Sequence, residues 1–288
     1  MKIIEILTEG GNAFPGMATP INKENIVPTL TRYFTELARL FPPKKNIFNT
    51  KNFELLGSAG KKAISGDLDL GIAPQNLLDG QLSDKAIREW GIDPSEIQSE
   101  ITSMRSTTKG RTEPQLRIKA FLKVLCRNIN ENSHSIQCSG RMTYGNVYTI
   151  FKQGDKWTQI DWMVGDPAWL KFSHYSAAYP EGSKIKGMHR SQLLTSLFKA
   201  VGYSFSNISG VTDRTTGKTI ATTPEDAMRV LSQRIGFQVS VPKTNDFGTL
   251  YKLLKDNLNP EVYQSMIDDY IDVLNRKGAY IPEIIQKR

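Results

Sequence analysis

The chain has 288 residues, 39% of them apolar, which is enough for one large core or two modest ones. No apolar run reaches membrane-spanning length, and MKIIEILTEGG at the start is too short and too acidic for a secretory leader, so contact with a membrane is not expected. Lys and Arg exceed Asp and Glu by 8, a modest excess that favours a polyanionic partner without identifying one.

Residues 2–7, KIIEIL, read as a short strand, and the Gly-, Pro- and Asn-rich segment up to Pro28 as an irregular arm. Leu30, Phe34, Leu37, Ala38 and Phe41 recur at helical spacing, which predicts a packing helix over 29–41 ended by Pro42-Pro43. The stretch Leu55 to Ile72, LLGSAGKKAISGDLDLGI, is where the chemistry gathers. Gly57-Ser58 and Ser65-Gly66 are turns, with Lys61 and Lys62 between them. Asp67-Leu68-Asp69-Leu70 then alternates acid and apolar, the period of a half-buried strand. Both acids therefore project to one face, where they repel each other unless a hard divalent cation lies between them. A glycine turn with a serine hydroxyl and a nearby lysine suits phosphate.

These residues carry a resemblance. Gly57-Ser58 followed by Ser65-Gly66-Asp67-Leu68-Asp69 resembles the signature of the DNA polymerase beta-like nucleotidyltransferase superfamily, a Gly-Ser turn ahead of an Asp-x-Asp strand. The Ser-Gly-Asp-x-Asp form is closest to the X-family polymerases, with a slightly shorter loop. Over a longer stretch, Gly165-Asp166-Pro167 included, the chain also looks like phage-encoded members. The resemblance implies an α+β fold, a nucleotidyltransferase palm of mixed sheet flanked by helices. It also implies a third carboxylate on a later strand.

Residues 74–112 are polar and broken by Pro and Gly, and read as an insertion between core strands. Helix starts are expected at Ser83 and at Asp93-Pro94, and Arg105 to Arg111 form a basic loop. Pro114 to Ile129 is the clearest helix of this half, with Leu116, Ala120, Phe121, Val124 and Leu125 as its stripe. Strands are expected at 136–138, 144–151 and 156–164. Asp161 lies between Ile160 and Trp162 in the last of these, a place unfavourable to an acid that is not exposed or bound to something. It matches the third carboxylate; Asp155 and Asp166, in Gly-flanked turns, suit the role less. Cys126 and Cys138 have no C-x-x-C spacing and are expected as buried free thiols in a reducing compartment.

The remainder reads as helices. One carries Leu193, Leu194, Leu197, Phe198 and Val201 and stops at Gly202. A second starts at Thr223-Pro224-Glu225-Asp226 and stops at Gly236. Others cover 247–258 and the segment from Asn259-Pro260 onward. Two domains are expected: 1–172, an arm plus the palm, and 173–288, a mainly helical, thumb-like part. Neither a helix-hairpin-helix segment nor a lyase domain is recognisable in the chain.

The resemblance thus implies transfer of a nucleoside monophosphate from an NTP or dNTP to the 3′-hydroxyl of DNA or RNA, with release of pyrophosphate. Asp67, Asp69 and Asp161 would hold two Mg²⁺ ions, Mn²⁺ also serving. Gly57, Ser58, Ser65 and Gly66, with Lys61 or Lys62, would hold the nucleotide. Lys184, Lys186 and Arg190 would meet the nucleic acid. Transfer to a small molecule or protein side chain, and a non-catalytic nucleic-acid-binding module on the same fold, are the alternatives. The expected location is the cytoplasm, or the host cytoplasm for a phage-encoded protein.

Overall fold

The computed structural model describes residues 13–79, 83–105, 112–140, 145–180 and 182–286. The strand expected over 2–7, all but the first residue of the basic loop 105–111, and the Tyr144 start of a strand lie outside the described residues. The chain divides into two compact units, one ending at Asp166 and the other beginning at Pro167.

In the first unit, β1 (Ile21–Asn22) leads into α1 (Lys23–Leu40), followed by β2 (Phe53–Leu55), β3 (Ile64–Ser65) and β4 (Leu68–Ile72). Next come α2 (Pro74–Leu77), α3 (Asp84–Arg88), α4 (Pro94–Arg105), α5 (Glu113–Asn132), β5 (Ile136–Cys138), β6 (Asn146–Gln153) and β7 (Lys156–Val164). Five strands form one mixed sheet in the order β2-β4-β7-β6-β5. Only the β4–β7 pair is parallel within that sheet. Parallel neighbours need a crossover, and everything from α2 to β6 lies between them.

α1 starts earlier than the sequence suggests. Residues 23–28 are helical, not an irregular arm, although Pro28 removes the donor that would reach the carbonyl of Glu24. Ile26 extends the stripe of Leu30, Tyr33, Phe34 and Leu37, and its burial outweighs one lost bond. The 74–112 segment supplies core as well as surface. Ser83 caps α3, accepting from the Ala86 amide at 3.2 Å. Trp90 donates to the Leu77 carbonyl at 2.8 Å and meets Phe41, Phe48 and Phe121 edge to face. Ile97, Ile101 and Met104 of α4 join the same core.

The second unit holds α6 (Pro167–Ser173), α7 (Gly187–Ala200), β8 (Tyr203–Ser206), β9 (Gly210–Asp213), β10 (Thr219–Ala221), α8 (Pro224–Ile235), α9 (Phe247–Asn257), α10 (Pro260–Arg276) and α11 (Glu283–Gln286). It is mainly helical, as expected, with the addition of a small antiparallel sheet ordered β10-β9-β8. Thr223, Asp246 and Asn259 cap the helices that follow them, and Gly236 ends α8 in the left-handed region at φ +83. Among the described residues no helix is long and apolar enough to cross a membrane.

Candidate metal centre

The sheet of the first unit has two unlike faces because side chains alternate along each strand. Leu68, Leu70, Ile72, Ile160, Trp162 and Val164 fill the core beneath α1 and α5. Trp162 donates to the Tyr33 hydroxyl at 2.8 Å, and that hydroxyl bonds Thr149 at 2.9 Å, which locks the back of β7 against α1 and β6. The opposite face receives the acids. Asp69 on β4 stands in register with Asp161 on β7, and Asp161 with Tyr148 on β6.

Asp67, Asp69 and Asp161 each bring one carboxylate oxygen within 4.8 Å of the other two. Asp161 is only 2% exposed. Its Oδ2 accepts from the Gln159 side-chain amide at 2.8 Å, while its Oδ1 is buried with no hydrogen-bond partner among the described residues. Burial, and then the neighbouring Asp67, raise the Asp69 carboxyl to about 7. Burial, and then Asp69, raise the Asp161 carboxyl to about 9, against the lowering effect of Gln159. Three acids this close cannot all stay ionised without a compensating positive charge.

The predicted phosphate turn lies beside them. β2 runs antiparallel to β4, and the Leu56 amide continues the ladder to the Asp69 carbonyl at 2.8 Å. The chain then bends at Gly57, with φ +66, and a Cβ there would sit 3.1 Å from Asp69 Oδ2. A glycine is needed for both the backbone conformation and the close approach. The return strand β3 pairs with β1, and the Lys23 amide donates to the Ala63 carbonyl at 2.8 Å, so the turn is held at its far end. Ser58, Gly66 and Lys62 are half-buried and Lys61 is exposed, its ammonium held below its ordinary pKa by partial burial. Ser65 is buried, and its hydroxyl has no hydrogen-bond partner among the described residues.

The predicted nucleic-acid residues belong to the second unit and differ from one another. Lys184 is exposed, its ammonium over the Tyr280 ring at 5.1 Å, and Lys186 is half-buried at the start of α7. Arg190 is not a surface cation. It is fully buried and donates to the carbonyls of Phe172, Ser173 and Thr244 and to the Thr244 hydroxyl. Phe172 and Ser173 close α6, so the guanidinium satisfies carbonyls that a helix end leaves open. Gln159, Tyr148 and Asn146, which share the face of the acids, were not singled out by the sequence. A polar residue in a strand reads as ordinary surface until the register puts it beside a carboxylate.

No protein-family model matches the chain, and no curated protein sequence matches it. Among solved structures the chain is similar to Leishmania infantum polymerase beta in a ternary P/T complex, at 11% sequence identity and a TM-score of 0.36. The match covers 79% of this chain and 77% of that one.

Proposed function

We propose that the protein is a metal-dependent nucleotidyltransferase that moves a nucleoside monophosphate from an NTP or dNTP to a nucleic-acid 3′-hydroxyl. The observation that carries this is the convergence of Asp67, Asp69 and Asp161, with one buried Asp161 oxygen that has no hydrogen-bond partner among the described residues. The residues fit a pair of Mg²⁺ ions. The donor set is all carboxylate oxygen, the unpartnered Oδ1 wants a positive partner, and cations would relieve the repulsion that raises Asp69 and Asp161. Mn²⁺ suits the same ligands. Bound ions of this kind supply Lewis acidity, neutralising charge on the phosphates and acidifying the attacking hydroxyl.

The chain's own residues do the rest. The Gly57-Ser58 turn and Gly66, with Ser65 and Lys61 or Lys62, hold the β- and γ-phosphates. Asp161 orients the attacking hydroxyl and takes its proton. The hydroxyl oxygen forms a bond to the α-phosphorus, the bond to the bridging α–β oxygen breaks, and pyrophosphate departs. No covalent enzyme intermediate is needed, so positioning and charge dominate. The net charge of +8 and the exposed Lys184 favour a polyanionic acceptor over a small molecule.

The test is transfer of each labelled NTP and dNTP to DNA and RNA oligonucleotides with Mg²⁺ or Mn²⁺. Asp67→Asn and Asp69→Asn should reduce transfer to background. They should also abolish the rise in melting temperature that Mg²⁺ gives the parent protein, since an ion that binds only the folded state stabilises it. Near-normal transfer by the double variant would rule the reading out.

A further inference from the structure

Two buried nucleophiles take no part in the proposed chemistry. Cys126 on α5 and Cys138 on β5 are free thiols, and both are buried in the core of the first unit. The sheet register and the helix period bring them together. Cys138 is paired with Thr149, and Thr149 with Ile160, so the three side chains form a row on one face of the sheet. Thr149 bonds the Tyr33 hydroxyl of α1 at 2.9 Å, which identifies that face as the core face. On α5, Leu122, Cys126 and Ile129 are buried at helical spacing, so the Cys126 side chain enters the same core from the helix side.

A clamp fixes the two cysteines at the same height. Asn130, one turn beyond Cys126, grips the main chain of Cys138. The Cys138 amide donates to Asn130 Oδ1 at 2.7 Å, and the Asn130 side-chain amide donates to the Cys138 carbonyl at 3.2 Å. Residues four apart on a helix stack on one side, so the clamp sets the Cys138 side chain against Cys126. The two thiols are hydrogen-bonding neighbours, and burial, then Cys126, hold the Cys138 thiol well above its ordinary pKa. β5 is three residues long and lies at the end of the sheet, bonded there to β6 alone. A short edge strand opens locally at less cost than the whole unit.

We propose that Cys126 and Cys138 are a reversible redox pair, which a small disulfide such as oxidised glutathione closes into a bridge fastening the edge strand β5 to α5. When β5 opens, the Cys138 thiolate attacks one sulfur of the small disulfide. The S–S bond of the oxidant breaks, one small thiolate leaves, and a mixed disulfide forms. The Cys126 thiolate then attacks the Cys138 sulfur, which forms the Cys126–Cys138 bond and expels the second small thiolate. Two electrons pass to the oxidant, and the two cysteine protons end on the two released thiols. Closed packing keeps the thiols protonated and slow, so the pair stays open where thiols are kept reduced and closes when small disulfides accumulate. This pairing does not depend on the nucleotidyl-transfer reading.

The test treats the folded full chain, without denaturant, with excess oxidised glutathione at mildly alkaline pH. The reaction is stopped with acid, and the protein is alkylated under denaturing conditions and digested for mass spectrometry. Both cysteines should escape alkylation and appear in one cross-linked peptide pair, with the protein still a single chain on non-reducing electrophoresis. The bridge shortens the reach of the unfolded chain, so the melting temperature should shift upward, and dithiothreitol should reverse both changes. Cys126→Ala and Cys138→Ala should each give no bridge and no upward shift. Cysteines that remain alkylatable in the treated parent, glutathione retained on both of them, or a disulfide between two chains would each overturn the pair. A bridge that lowers the melting temperature would overturn it as well, because the folded geometry would then not accommodate the bond. The parent chain alone decides each of these outcomes, so a variant that fails to fold does not blunt the test.

Discussion

Gln159 shows how one neutral side chain can decide what a carboxylate does. Its amide occupies Asp161 Oδ2, which leaves Oδ1 without a hydrogen-bond partner among the described residues. Partners of this kind orient metal ligands, and losing one typically costs roughly 10–100-fold in metal affinity or activity. On the proposed reading, Gln159→Leu should weaken Mn²⁺ binding, followed by electron paramagnetic resonance, and slow transfer by a similar factor. Gln159→Glu should be worse, because it adds a fourth negative charge. Unaltered Mn²⁺ affinity in Gln159→Leu would remove Gln159 from the site. The three acids stood out in the sequence for two reasons: Asp67 and Asp69 through their alternation with leucines after the Gly-Ser turn, and Asp161 through its place inside an apolar strand. Gln159, Tyr148 and Asn146 did not, because glutamine, tyrosine and asparagine are unremarkable in strands and gain meaning only from the cross-strand register.

At the scale of elements, the strands and caps follow from local pattern, and the departures follow from packing. β7 and α5 lie where alternation and helical spacing put them, with α5 running on to Asn132. The early start of α1 was hidden by Pro28, which reads as a break until Ile26 is seen in the core. β8, β9 and β10 are three or four residues long, too short to show a period. Arg190 is the plainest case of a residue whose type misleads. Its lysine neighbours suggest a basic surface, yet it ties the end of α6 to the turn at Val241–Thr244. Burial lowers its pKa to about 10, which still leaves it charged at neutral pH. Arg190→Met should destabilise the second unit by roughly 1–3 kcal/mol for each carbonyl left unpaired, measured by chemical denaturation. The same substitution should leave the salt dependence of oligonucleotide binding unchanged, whereas loss of a phosphate contact would reduce its slope by about one.

At the scale of the whole molecule, acid sensitivity has identifiable sources. Glu36 on α1 bonds Arg39 and, at 3.0 Å, the hydroxyl of Ser133 just beyond α5. The Arg39 hydrogen bond, opposed by burial and aided by Ser133, holds its carboxyl below the ordinary value of 4.5. A depressed folded pKa means the stabilisation is complete above the unfolded value and is lost as pH falls through the folded one. Glu36→Gln should thus be less stable than the parent at neutral pH, and the gap should close below about pH 4.5. Denaturation midpoints across that range would show it, and a constant gap would contradict the assignment.

The parallel pairing of β4 with β7 has a consequence for how the protein is made. Asp67 and Asp69 leave the ribosome together, but their partner strand follows only after four helices and two further strands have been synthesised. Contacts so distant along the chain form slowly, because the intervening polypeptide must be closed into a loop first. Nascent chains should therefore pass through a stage with helices built in which Asp161 has not yet joined Asp67 and Asp69. In refolding, recovery of the proposed Mn²⁺ binding should coincide with the sequestering of the Trp162 indole in the slowest phase.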